Sequence, residues 1–541
     1  MNKLVIGGLS ILLVVGAVIG IIAGVNYSGN SNKGDNVLST TSKSIAAMCT
    51  PTDYKQACVN SLSSFANNGS ATPKDLIQSA LQATIEEVKA ALQKSGTIGK
   101  DTNNSTQKMA VEDCKDLLQF AVDELQASFS MVGDSDLHTI NDKEAELKNW
   151  LSTMISYQQT CLDGVTEPDL KNAMSNGLLN ATQLTSNALA IVSAISEIMT
   201  SFKIPLNMTA SSRQLLDASE DNDNQYPVWL SASDRKLLAS NSNGQVTPNA
   251  IVAKDGSGQY KTISEALAAY LKNNKGRYVI YVKAGIYDEY ITVKKDQVNV
   301  LMYGDGPRKT MITGKKSNLA GLPTFQTASF AAVGTGFIAK SMGFQNTAGP
   351  EGHQADTLYV QTHRQFYHNC VISGTVDFIF GDSATLIQNC KIIVRKPMDH
   401  QSNTITAHGR SDKRENTGLV IQNCRIVPEE KLYPSRLQIA SYLARPWKEY
   451  ACTVIMESTL GDFIQPAGWL EWSGNFALDT LHYAEYANQG PGAKTDNRVK
   501  WKGHKVITNR NEALQFTAGP FIQGNLWLSA TGAPYFPGFK N

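Results

Sequence analysis

Histidine is scarce in this chain, eight residues in 541, and none falls in a spacing that ligates a metal. The signatures of nucleotide and acyl-serine chemistry are missing too. There is no P-loop, no strand–glycine-rich–helix fingerprint and no serine-centred nucleophile elbow. No acidic cluster is suited to calcium. No metal and no cofactor is therefore expected. Net charge is nearly absent, +1 at pH 7 with 18% charged residues, and nothing in the overall balance points to nucleic acid.

That balance hides a split. From Gln245 onward about 32 Lys/Arg stand against about 23 Asp/Glu, roughly +9, and the remainder is roughly −8. The asymmetry implies two units with different partners, the basic one suited to a polyanion. Two domains of merely different surface composition would look the same. Length and a 42% hydrophobic content fit two or three globular domains.

From Leu4 to Val25 the residues are apolar or glycine apart from Ser10, with Lys3 before them. That run is long enough to span a bilayer, with its basic end cytoplasmic. It exceeds the usual apolar core of a cleaved signal peptide, so residues 1–25 read as a membrane signal anchor in preference to a signal peptide. Either way, the rest of the chain is expected to enter the secretory pathway. Glycan acceptor sequons at Asn26, Asn68, Asn103, Asn104, Asn180 and Asn207 agree, and none lies after Gln245. Eight cysteines in a secreted chain favour disulfides.

Beyond the apolar run the chain has three segments. Residues 44–208 are helical in pattern: "DLIQSALQATIEEVKAALQK" places Leu76, Ile77, Ala80, Leu81, Ile85, Val88 and Leu92 near a 3.6-residue period. Pro73 after Thr72 marks a helix start, and short polar links predict an antiparallel four-helix bundle. The simplest cysteine pairing is Cys49 with Cys58 and Cys114 with Cys161, with two other pairings open. Residues 209–245 are a Ser/Asn/Asp-rich linker carrying "RQLL" (Arg213 to Leu216) and "RKLL" (Arg235 to Leu238), exposed basic sites open to a protease or ordinary linker residues.

Residues 246–541 turn to short β runs. "FYHNCVIS", "LIQNCKII" and "VIQNCRIV" repeat one fragment, with cysteines at 370, 390 and 424. Spacings of 20 and then 34 residues suit one coil and one coil with an inserted loop, so the segment reads as an all-β parallel β-helix. An all-β sandwich would not explain the recurring Asn-Cys. "GDGPRK" (304–309) reads as a turn between strands.

In a solenoid, spacing carries chemistry. Asp356 in "DTLYV" precedes Asp377 in "GTVDFIFG" by one coil, and neighbouring coils lie ~4.8 Å apart. Two carboxylates that close cannot both ionise easily, so one pKa is expected to rise. Such a pair can supply a neutral acid and an anionic nucleophile together. Arg445 in "LARPWKEY" could hold a carboxylate bidentately, and Trp447 could stack on a sugar. A satisfied network of structural carboxylates is the alternative reading of the same residues.

Taken together, "GTVDFIFG", "LARPWKEY", "GIYDE", "DTLYV", "FQNTAGP" and "GWLEWSGNFAL" resemble plant pectin methylesterases (pectinesterases). The front half is similar to the inhibitor-type four-helix bundle such enzymes carry as a pro-region. The resemblance implies an all-β right-handed parallel β-helix preceded by an all-α four-helix bundle. It implies hydrolysis of galacturonate methyl esters in pectin, with release of methanol, in the cell wall. Asp377 matches the nucleophile, Asp356 the proton donor and base, and Arg445 the residue that keeps the nucleophile ionised. Gln354 matches an oxyanion and substrate contact; Thr324, Trp447, Tyr359 and Trp469 are assigned to the substrate cleft. The implied partners are methyl-esterified homogalacturonan, a processing protease acting near Arg213–Leu216 and Arg235–Leu238, and a separate inhibitor protein, with the membrane met only through the anchor.

The match has one break. "GHQADTLYV" joins the first half of one family motif to the second half of another, so about one coil, some 21 residues, is absent. Ala355 stands where the family has a glutamine, leaving Gln354 as the amide near the acids. The alternative function is accordingly a catalytically impaired pectin-binding or esterase-inhibiting protein. Cys390 and Cys424 are expected to form a coil-to-coil disulfide, with Cys370 and Cys452 unassigned.

Overall fold

A computed structural model describes residues 40–63, 71–99, 102, 104–205, 247–272, 274, 276–316, 327–347 and 356–540. The chain divides into two units, Met1–Asp217 and Ala218–Asn541. The expected anchor at 1–25 and the linker sites Arg213, Leu216, Arg235 and Leu238 lie outside the described residues, as do Asn26, Asn68, Asn103 and Asn207. Among the described residues no single helix is long and apolar enough to cross a membrane.

The first unit is helical. Pro73–Ile98, Ser105–Asp134, Glu144–Gly164 and Pro168–Ser193 each pack on the next, and the last returns to the first. The start of the first is set by chemistry legible in the sequence. Thr72 and Asp75 form a reciprocal capping box with Pro73 inside it. Leu76, Ile77, Ala80, Leu81, Ile85 and Val88 are buried along one stripe. Cys49 bonds to Cys58 and Cys114 to Cys161, the simplest of the three pairings. Asn104 caps Ser105–Asp134 by accepting from Thr106 and Gln107, and Asn180 is exposed.

Among the described residues the second unit is a β-solenoid of three sheets, the first with ten strands, the second with seven and the third with six, every strand pairing parallel. Each full coil gives one strand to each sheet. Arg364–His368, Val371–Gly374 and Val376–Gly381 form one coil, and Ala384–Gln388, Lys391–Val394 and Asn403–His408 the next. The interior is filled by residues that stack in register, such as Ile372 on Ile392 on Ile426.

The Asn-Cys repeat is the corner between the first and second sheets. Asn369, Asn389 and Asn423 all take positive φ, between 52° and 58°, a conformation Asn tolerates better than most residues. The cysteine after each turns into the core. Contrary to expectation, Cys390 and Cys424 are not bonded; they are free, buried thiols, as are Cys370 and Cys452. Equivalent positions on parallel coils point their side chains the same way. Each sulfur therefore meets the preceding coil's backbone. Cys370 N–H donates to Cys390 Sγ at 3.2 Å, Cys390 N–H to Cys424 Sγ at 3.3 Å, and Cys424 N–H to Ser458 Oγ at 3.0 Å.

The solenoid is continuous on either side of 348–355. Phe337–Lys340 pairs with Arg364–His368, Gly343–Asn346 with Val371–Gly374, and Phe330–Ala332 with Leu358–Val360. All three sheets thus keep their register across the shortened stretch, which a stack of like coils permits. Beyond the last coil, Ala513, Ala518, Ile522 and Leu528 cover the outer face of the first sheet.

Candidate active site

The candidate residues gather on the outer face of the third sheet. Its neighbouring strands Leu358–Val360, Val376–Gly381, Asn403–His408 and Ser441–Ala444 stack in that order. Leu358 pairs with Ile379 and Tyr359 with Phe380, an offset that sets Asp356 one coil before Asp377.

The strand carrying Asp377 is not regular. Its register to the next coil shifts between Val376 and Ile379, so it holds one residue more than its partner. Asp377 takes φ 52° at this bulge. The consequence is visible in the packing: Phe378 and Ile379 both enter the solenoid core, while Phe380 faces outward. A bulge that re-aims a side chain in this way is common beside active sites. The strand closes on Gly381, at φ 133°, where any Cβ would strike the Val360 carbonyl.

Both acids are buried, Asp356 at 5% and Asp377 at 6% exposure. Burial pushes the Asp356 carboxyl up to about 8, against the lowering effect of the Thr327 hydroxyl, and the Asp377 charge adds to the rise. Thr327 donates to Asp356 Oδ2, and Asn346 Nδ2 donates to the Asp356 carbonyl at 2.9 Å. Asp377 has different company. Arg445 Nε donates to Oδ1 at 3.0 Å and to Oδ2 at 2.9 Å, and Nη2 also donates to Oδ2. Thr404 donates to Oδ1 at 2.6 Å. The guanidinium is thus the countercharge of a buried carboxylate, as its type at that place implies. One acid is held neutral and the other is charge-paired, which is the division that nucleophilic attack and proton donation require.

Arg445 lies against an aromatic cluster. Its guanidinium sits 4.5 Å from the Trp472 ring centre. Tyr359 stacks on Phe380 at 4.6 Å, and Phe380 meets Trp447 edge-on at 6.0 Å. Trp447 and Trp472 are half-buried, whereas Tyr359 is 2% exposed and lies beneath them as floor. Trp469 departs from expectation. Assigned to the cleft by resemblance, it is instead buried at 1% exposure in the solenoid core, stacked on Tyr483 at 4.6 Å. Its segment is built of turns, where strand alternation gives no guide to which tryptophan faces out. Gln354 and Thr324 lie outside the described residues.

Sequence reasoning missed Thr327, Thr404 and Trp472. Both threonines come from other coils and carry no motif of their own. The signal for Trp472 was present, since it stands in the quoted "GWLEWSGNFAL". Among the described residues no cluster of His, Cys, Asp or Glu could hold a metal ion.

Comparison with known proteins agrees with this geometry. The Pectinesterase family model matches residues 249–356 and 354–525, two segments that meet at the stretch read as one coil short. The plant invertase/pectin methylesterase inhibitor family matches residues 43–191. The chain is 44% identical over 516 residues to "Probable pectinesterase/pectinesterase inhibitor 13" of Arabidopsis thaliana, covering 91% of this chain and 81% of that one. It is 41% identical over 545 residues to "Pectinesterase 1" of Citrus sinensis, covering 95% and 92%. The structure of pectin methylesterase from carrot superposes with a TM-score of 0.51 at 48% identity, covering 55% of this chain and 99% of that one.

Proposed function

The chain belongs to the pectinesterase family, and from that premise we propose that it hydrolyses galacturonate methyl esters in pectin, with Asp377 as nucleophile and Asp356 as proton donor and base. Asp377 attacks the ester carbonyl, and the tetrahedral adduct collapses as methoxide takes the proton of Asp356 and leaves as methanol. The galacturonate is then an acyl anhydride on Asp377. Asp356, now a carboxylate, takes a proton from water; the hydroxide equivalent attacks the acyl carbon and frees the Asp377 carboxylate and a galacturonic acid, which loses its proton to solvent. The proton returned to Asp356 readies the next cycle.

The observation that carries this reading is the contrast between the two acids: Asp356 raised to about 8 by burial, Asp377 in the grip of Arg445. Trp447 and Trp472 are assigned to the sugar face of the cleft. Gln354 is assigned to the developing oxyanion and Thr324 to substrate, on the resemblance alone. The alternative of an impaired pectin-binding or esterase-inhibiting protein rested on the lost coil. The three sheets stay paired across that stretch, Asp377 keeps its Arg445 partner, and nothing favours the alternative. Methanol release from methyl-esterified pectin by the full chain, abolished in Asp377→Asn, is the direct test; a folded wild type that releases none overturns the assignment.

The finer biology belongs to the same proposal. Residues 1–25 anchor or target the precursor, the enzyme reaches the cell wall by the secretory pathway, and glycans attach in the front half. The inhibitor-like unit is a pro-region removed by a protease after Leu216 or Leu238, and a separate inhibitor protein acts on the mature enzyme. Sequencing the amino terminus of the secreted protein tests the cut sites; a mature chain still beginning before Arg213 would reject them.

A further inference from the structure

A second feature lies away from the cleft, at the corner between the first and second sheets. A groove of about 530 Å³ runs there along the solenoid axis, floored by Asn-Cys corners of three successive coils. Its walls carry Arg308, Lys309, Lys391, Arg425 and Lys540, and its described lining holds no acidic residue. Lys391 and Arg425 are partners in register on adjacent coils of the second sheet. Like charges directly opposite each other destabilise a sheet. The Lys391 ammonium is accordingly pushed below its ordinary value, first by desolvation and then by Arg308 and Arg425.

The groove is built rather than incidental. On one side the "GDGPRK" turn folds over Gly343, where a Cβ would come within 2.7 Å of the Pro307 carbonyl. On the other side the carboxyl-terminal tail runs along successive coils. Phe536 N–H donates to Gln388 at 2.8 Å, Gln422 donates to the Gly538 carbonyl at 2.9 Å, and Lys540 N–H donates to Glu457 at 3.2 Å. The tail thereby brings Lys540 to the Asn423 side chain at 3.4 Å. The nearby Glu457, outside the lining, accepts from Gln422 and from the tail.

We propose that this groove is a second binding site, for a de-esterified polyuronate chain, the product of the enzyme's own reaction. Lys391 and Arg425, one coil apart at ~4.8 Å, with Arg308, Lys309 and Lys540 on the walls around them, face a linear polymer that carries one carboxylate on each sugar. The corner asparagines offer amide groups to its hydroxyls. A chain held there keeps the enzyme on pectin already demethylated while the cleft, on the third sheet, meets esters still in place. This inference rests on the pectinesterase reading for the identity of the polymer.

The test uses the full chain and the double variant Lys391→Gln/Arg425→Gln, which removes a like-charge contact and so leaves the coil folded. Affinity for fully de-esterified polygalacturonate is measured by calorimetry at low salt. Methanol release is measured on long, partly de-esterified pectin and on a methyl-esterified trigalacturonate too short to leave the cleft. The variant is expected to bind polygalacturonate roughly tenfold more weakly, the scale of two exposed ion pairs. Its KM on long pectin rises in parallel, with kcat and the trisaccharide kinetics unchanged. Unaltered polymer binding, or an equal loss on the trisaccharide, would overturn the proposal. Equal binding of sulfated dextran by the wild type would overturn the assignment to uronate. Should the wild type release no methanol from either ester, the catalytic reading fails on its own, and polygalacturonate binding still decides the groove.

Discussion

Thr404 and Asp377 close a ring across two coils: the Thr404 hydroxyl donates to Asp377 Oδ1 at 2.6 Å and accepts from the Asp377 backbone N–H at 3.0 Å. The contact locks the bulged residue and leaves its carboxylate aimed by two partners, a hydroxyl and a guanidinium. Thr404→Val keeps the shape and removes the hydroxyl. It should lower kcat by the equivalent of ~1–3 kcal/mol, the cost of an unmade bond to a buried polar group. Asp377→Asn should lower kcat roughly 10⁴-fold or more, as loss of a nucleophile does. Single-turnover methanol release distinguishes the two, and equal losses would contradict the ring's lesser, orienting part.

Asp356 should set the alkaline limit of the proposed reaction. Its carboxyl titrates near 8 because burial disfavours the anion, with the Asp377 charge a smaller contribution. In the proposed mechanism methanol leaves with the Asp356 proton, so kcat/KM should fall as pH rises through about 8, with the slope of one proton. In Asp377→Asn the same carboxyl should titrate lower but still well above an ordinary aspartate, since desolvation persists. Carbon-13 titration of labelled aspartate measures it. The same proton sets the sign for stability, because the folded chain holds it more tightly than the unfolded one. The group's contribution is therefore present below about pH 4 and is lost as pH rises through about 8.

Trp469 and Trp472 should separate stability from binding. Trp469→Ala empties a core position and should cost ~3–5 kcal/mol of stability, read as a lowered urea midpoint. Trp472→Ala removes a half-buried ring assigned to the sugar face of the cleft, so it should raise KM, while its lost contact with Arg445 lowers the midpoint by no more than the equivalent of ~0.5–2 kcal/mol. The reverse pattern would restore Trp469 to the cleft.

The thiol ladder predicts a count. Protein unfolded without reductant should expose four thiols per chain to Ellman's reagent, from Cys370, Cys390, Cys424 and Cys452. Two would mean that Cys390 and Cys424 are bonded after all. Reduction should then loosen the helical unit. Its Cys114–Cys161 bridge spans 47 residues, and closing a loop of that size constrains the unfolded chain by about 4 kcal/mol.

Much of this molecule could be read along the chain. The Asn-Cys repeat announced coils because a tight corner favours a residue that tolerates positive φ, then a small apolar one. The interval from Asp356 to Asp377 announced two acids on neighbouring coils, and Arg445 announced their countercharge. The thiols and tryptophans were harder. A cysteine spacing of one coil is the same whether sulfurs bond to each other or to backbone amides, and a tryptophan in a turn carries no periodicity. The bulge at Asp377 was hidden as well, since "GTVDFIFG" alternates plausibly in either register until the neighbouring coil is paired with it.

The sequence by itself determined the local choices, where helices start and where strands turn, set by propensities and short-range contacts. Only the tertiary structure decided which acid holds its proton. Asp356 and Asp377 are the same side chain on adjacent coils, and their difference comes from the desolvation of Asp356, which outweighs the opposing Thr327 hydroxyl, and from Thr404 and Arg445, brought to Asp377 from later coils. Desolvation and countercharge belong to the whole surroundings of a group, and no stretch of sequence contains them.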